Sequence, residues 1–146
     1  MKTLLFILIL LPSVGFSQDS LMHKNDIYIH LACSDSNKHL MKSFGQFLMS
    51  NGYTIATVDT TFLTVKTGFI KAKKGNGFNQ IVFSVTGHEI KAKVMGKLGA
   101  SLNFGSAISN DDEMAISNSW VSHKYFQWFS DMVTLYKHNA VYYTHD

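Results

Sequence analysis

The chain has 146 residues and a formal net charge of +3, and all 13 of its basic residues are Lys. Arg is the usual fork for phosphate and the commonest reader of guanine, so its absence argues against sequence-specific nucleic-acid binding. A single Cys excludes an internal disulfide framework, and 11 Phe, 6 Tyr and 2 Trp favour a packed interior over disorder.

Met1-Lys2 gives a positive start, and Thr3 to Leu11 is an almost unbroken apolar run. Pro12 and Gly15 break it, and Ser17 precedes the polar stretch Gln18-Asp19-Ser20. This is the three-part layout of a secretory signal, and it is too short for a spanning helix of about 20 apolar residues. The reading is a signal peptide over 1–17, cleavage near Ser17/Gln18, and a periplasmic or extracellular mature protein with no transmembrane segment. A flexible N-terminus over 18–25 and a single α+β domain over 26–146 follow, long enough for one core.

Ile27 to Ala32 is a short run of strand type, and Cys33 at its end reads as a buried thiol. Ser34-Asp35-Ser36 offers N-cap side chains. Leu40, Phe44, Phe47 and Leu48 then recur at helical spacing, predicting a helix to about Asn51 that ends at Gly52. Gly45 lies inside that helix, which implies a close backbone approach to the sheet.

Tyr53 to Val58 and Phe62 to Lys73 read as strands. In the second, Leu63 and Val65 are apolar at odd positions, but Ile70 and Ala72 at even ones. One face cannot hold all four without an extra residue, so a bulge is expected near Gly68. Gly75-Asn76-Gly77 predicts a hairpin turn. Phe78 to Thr86 places Ile81, Phe83 and Val85 on one face. Glu89 to Leu98 has Ile90, Ala92 and Val94 inward, with Glu89, Lys91, Lys93 and Lys97 outward. One buried and one wet face mark an antiparallel sheet.

Between Gly99 and Ser119, Leu102-Asn103-Phe104 suggests a short strand, and Asn110 with Glu113 has capping-box spacing for a helical turn from Asp111. The last predicted element is a helix from about Val121 to His138. Its stripe of Tyr125, Phe129, Met132, Val133 and Tyr136, with Phe126 beside it, should cover the sheet.

The expected architecture is therefore α+β: a mostly antiparallel sheet of four to five strands with one face covered by two helices. That β-α-β4-α order resembles the TBP-like fold found in small exported proteins of Bacteroidota. Gly52-Tyr53-Thr54-Ile55, followed by Asp59 and a strand, is also similar to the domains of BamC-type envelope lipoproteins. The sequence departs from that pattern by lacking a lipidation cysteine after the apolar run. Neither resemblance carries a binding residue over.

No catalytic or metal motif stands out. His88-Glu89 begins like H-E-x-x-H, but Ala92 holds the fifth position and the segment reads as a strand. Cys33 with His30, His39 or His88 would make a small hydrolase only if tertiary packing joined them. No cofactor or metal is expected, and the protein reads as non-enzymatic.

Lys66, Lys71, Lys73, Lys74, Lys91, Lys93 and Lys97 all fall on strand segments. Lys71, Lys73, Lys91 and Lys93 are the candidate contacts for an acidic envelope component or protein partner. Trp128, outside the main helical stripe, is a further candidate contact. A carrier of a small apolar ligand, with the last helix arched over the sheet, is the alternative.

Overall fold

The computed structural model describes residues 21–71, 77–98, 113–118 and 122–145. The expected signal peptide, Lys73, Lys74, Leu102 to Phe104, Trp120 and Gly75-Asn76 lie outside them. The elements in chain order are β1 (Tyr28–Ala32), α1 (Asn37–Ser50), β2 (Ile55–Asp59), β3 (Thr64–Thr67), β4 (Ile70–Lys71) and β5 (Gly77–Thr86). β6 (Glu89–Leu98), β7 (Met114–Ala115), α2 (His123–Val133) and β8 (Ala140–Thr144) complete the order.

All the strand pairs are antiparallel, and the main path through the sheet is β2-β3-β5-β6-β1-β8. The two-residue strands β4 and β7 pair with β5 and β6. The expected sheet of four to five strands is thus corrected to one of eight among the described residues, and the β-α-β4-α order is replaced.

Three local causes account for the difference. First, the long Phe62 to Lys73 strand is divided at Gly68-Phe69. The six residues from Val65 to Ile70 lie opposite the five from Phe83 to Asn79, so the register moves by one. That is the phase change the apolar pattern predicted near Gly68; β2 takes a second irregularity between Ile55 and Thr57. Gly68 donates its N–H to Thr54 O at 2.7 Å, and a Cβ there would lie 2.5 Å from Thr54 Oγ1. Second, Met114–Ala115 is strand rather than a helical turn after Asp111.

Third, the last helix stops at Val133, not His138, and the chain turns into β8. Tyr136 sits at helical spacing but is held by α1 instead. Its hydroxyl lies 2.6 Å from Ser43 Oγ, and its ring meets Phe44 edge-on at 5.0 Å.

The core forms where alternation in the strands meets the apolar stripes of the helices. Ile29 and Leu31 of β1, Ile81, Phe83 and Val85 of β5, and Ile90, Ala92 and Val94 of β6 are all buried. Against them lie Leu40, Phe44 and Leu48 of α1, with Phe126, Phe129, Met132 and Val133 of α2. Phe44 meets Phe83 edge-on at 4.8 Å, a favoured aromatic geometry. Each such side chain contributes about 1.5–3 kcal/mol by leaving water.

Gly52, at φ +89°, ends α1 while Tyr53 N–H bonds back to Leu48 O. Gly87, at φ +58°, opens the two-residue turn between β5 and β6. Gly45 is buried, yet a Cβ there would meet no described atom within 4 Å. The expected close approach to the sheet is therefore corrected.

Candidate functional site on the open sheet face

Both helices cover one face of the sheet, and register decides what stands on the other. On β6 the inward residues leave Glu89, Lys91 and Lys93 facing away from the core. Their cross-strand partners on β5 are Thr86, Ser84 and Val82, and Lys91 is also opposite His30 of β1. Tyr28 and His30 of β1 in turn pair with Thr144 and Tyr142 of β8. A single surface therefore collects residues from four strands.

At its centre is an open basin of about 260 Å³ lined by Tyr28, Thr64, Val82, Ser84, Lys91 and Lys93. The Lys91 Nζ stands 3.9 Å from the centroid of the Tyr28 ring. The Lys93 Nζ is 5.3 Å from it and donates to the Tyr28 hydroxyl at 3.5 Å. An ammonium over an aromatic face is held by about 0.5–1 kcal/mol at an exposed site, which parks the lysines without neutralising them.

Beside the basin lies a polar cluster built around one buried histidine. His30 is only 6% exposed, although it points away from the core. Its Nδ1 is 2.7 Å from Glu89 Oε1, and its Nε2 is 2.9 Å from Thr144 Oγ1. The ring stacks on Tyr142 with centroids 4.4 Å apart and planes 13° apart. The Tyr142 hydroxyl donates to the second Glu89 oxygen, Oε2. Burial, followed by the hydrogen bond and charge of Glu89, pushes the Tyr142 hydroxyl well above its ordinary pKa, so it remains a donor.

The consequence is electrostatic. Glu89 is two residues from Lys91 on the same face, and without other partners it would neutralise it. Instead His30 and Tyr142 hold both its oxygens. Asp59, at the far edge, accepts from the N–H groups of Thr61 and Phe62 in its own turn. The two ammonium groups at the basin thus face carboxylates whose oxygens are already engaged elsewhere.

Of the predicted contacts, Lys91 and Lys93 are brought together at the basin. Lys71 pairs with Phe78, whose other partner is Lys97, so by register it shares the open face. It stands six residues along β6 from Lys91, or about 20 Å. Lys73 lies outside the described residues. Trp128 is half-buried and packs against the core cluster, so the structure places it away from the lysines.

Cys33 and the histidines do not converge. The thiol faces the core side and donates to Leu31 O and Lys137 O at 3.6 and 3.7 Å, while His30 lies on the opposite face. Burial first, then the charge of Asp35, raises the Cys33 pKa, which keeps the thiol protonated and unreactive. His39 pairs with Asp35 at 3.6 Å on α1, and His88 Nδ1 lies against Ser34 O and Asp35 O. Among the described residues no group of three or more His, Cys, Asp or Glu side chains is placed to hold a metal ion.

The sequence reading missed Tyr28, Tyr142 and Thr144, and gave Glu89 no role beyond facing outward. The available signal was Ala140-Val141-Tyr142-Tyr143-Thr144, a β-branched and aromatic run of strand composition. No protein-family model matches the chain, and no curated protein matches it significantly. Among the described residues no helix is long and apolar enough to cross a membrane.

Proposed function

We propose that the protein is an exported binding module whose open sheet face takes an acidic ligand, a carboxylate- or phosphate-bearing molecule. The observation that carries this reading is the pair Lys91 and Lys93 standing over Tyr28 at a 260 Å³ basin, with the neighbouring carboxylate Glu89 already held by His30 and Tyr142. Lys66, Lys71 and Lys97 extend the same face by register. Clustered ammonium groups on an open surface attract anions and steer their approach. The signal-like layout of the first residues supports an exported surface.

The carrier alternative needs a cavity between helices and sheet. That layer is occupied by Phe44, Phe83, Phe126 and Phe129, each at most 1% exposed, so the basin on the other face is the better-supported site.

The test is a titration of the mature protein with polygalacturonate and with polyphosphate, followed by the amide shifts of β5 and β6. Binding should centre on the basin and weaken steeply between low salt and about 0.5 M NaCl, where screening lengths fall to a few ångströms. Lys91→Ala with Lys93→Ala should weaken it about tenfold or more, equivalent to about 1.4 kcal/mol. Binding unaffected by both salt and the double substitution would remove the proposal.

A further inference from the structure

The cluster beside the basin has an order of its own: hydroxyl, imidazole, carboxylate. Thr144 Oγ1 is 2.9 Å from His30 Nε2, and His30 Nδ1 is 2.7 Å from Glu89 Oε1. This is the geometry in which a base takes a proton from a nucleophile while a third group fixes the base's tautomer. Two further contacts serve the same end. Tyr142 stacks on the His30 ring and sets its plane, and its hydroxyl holds the free oxygen of Glu89. The three reacting or positioning groups come from different strands, β8, β1 and β6, so only the sheet register assembles them. Thr144 is half-buried on an outer strand and lies opposite Tyr28, which lines the basin.

We propose that Thr144, His30 and Glu89 form an acyl-transfer site for carboxylic esters, with Thr144 as nucleophile, His30 as base and Glu89 as positioning residue. The Thr144 oxygen bonds to the ester carbonyl carbon, its proton passes to His30 Nε2, and the carbonyl electron pair moves onto oxygen. When that pair returns, the bond to the alkoxy oxygen breaks, and the leaving alcohol takes the proton from His30. Water then attacks the acyl-threonine and gives its proton to His30. Collapse breaks the acyl–threonine bond, releases the carboxylic acid and returns the proton to Thr144. The balance is ester plus water to acid plus alcohol.

The charged and titratable groups around His30 are Glu89 and Lys91 of β6, Tyr28 of β1 and Tyr142 of β8. Lys91, whose Nζ lies over the ring of Tyr28, the residue opposite Thr144, is the neighbouring cation. A preference for anionic esters rests on the reading of the basin given above; the relay itself does not.

The experiment treats the mature protein with 4-nitrophenyl acetate and, separately, with mono-4-nitrophenyl succinate. The relay predicts release of about one equivalent of 4-nitrophenol in a burst, with the acetyl group on the peptide containing Thr144. Thr144→Val and His30→Gln should reduce the rate about 100-fold, the usual size of a lost base or nucleophile, while Thr144→Ser retains it. Glu89→Gln should lower kcat about tenfold with KM unchanged, because the imidazole loses the carboxylate that fixes its tautomer and orientation. A rate equal to that of buffer, acetylation confined to lysines, or an unchanged rate in Thr144→Val would each overturn the relay. Should Thr144→Val fail to fold, the acetylated residue in the unaltered protein decides alone. Equal rates for the two esters, with Thr144 still acylated, would remove only the anionic preference.

Discussion

Two buried groups show how a single side chain's surroundings decide its chemistry. Cys33 looked from its neighbours like a small core residue, and its contacts with two main-chain carbonyls agree with that. In the folded protein it should therefore resist iodoacetamide at pH 8 and react only after addition of denaturant; labelling followed by mass spectrometry measures this. Tyr53 is 3% exposed, and its hydroxyl has no hydrogen-bond partner among the described residues. Burial pushes its pKa up to about 12 from an ordinary 10.0. A raised pKa means that the folded state keeps the proton that the unfolded chain releases. This contribution to stability is complete below pH 10 and is lost as pH rises towards 12. Tyr53→Phe should stabilise the protein by about 1 kcal/mol at pH 7, since it removes an orphaned polar atom, and should flatten the loss between pH 10 and 12. Urea denaturation of both proteins at pH 7, 10 and 11.5 tests both parts. Tyr136 and Tyr142 are shifted in the same direction, so the difference between the two proteins isolates Tyr53.

The elements differ in how plainly they announce themselves. β6 alternates without interruption, and α1 carries its apolar residues at a regular spacing, so both follow from periodicity alone. Gly45 of α1 has no described atom within 4 Å of a modest added methyl group, and helix interiors favour Ala over Gly by about 1 kcal/mol. Gly45→Ala should therefore raise the urea midpoint by that equivalent. α2 was extended too far because Tyr136 continues the helical spacing, although packing on α1 holds it there. β8 was hidden by that same overrun. Its place beside β1 depends on Asn139 N–H reaching Ala32 O at 2.6 Å and on the polar cluster of His30, Tyr142 and Thr144. Tyr142→Phe leaves one Glu89 oxygen without its donor and should cost about 1–3 kcal/mol, with amide exchange rising first in β8.

At the scale of the whole molecule the two faces of the sheet differ in burial and composition. The covered face carries stability. Phe83→Ala, which empties a site 1% exposed between Phe44 and the strands, should cost about 3–5 kcal/mol by urea denaturation. The open face carries the lysines proposed above to take an acidic ligand. Lys91→Ala there should stay within about 0.5 kcal/mol of the unaltered protein while weakening anion binding. The alternation of β6 already separated the two faces, so the lysine surface was legible as a surface. The basin was not, because Tyr28, which lines it, has no periodic signature and meets Lys93 only by pairing across 65 positions of sequence.

What the sequence determined by itself is what depends on near neighbours: the inward and outward residues of β5 and β6, the stripe of α1, the turns at Gly52 and Gly87, and the one-residue phase change near Gly68. Steric limits on the backbone and the two side-chain periods act over a few residues, so a short window contains them. Only the tertiary structure decided that β1 lies between β6 and β8, and that His30, Glu89 and Thr144 meet. Those contacts join residues 59 and 114 positions apart. They are chosen by which strands bury most surface together, a competition that no local pattern records.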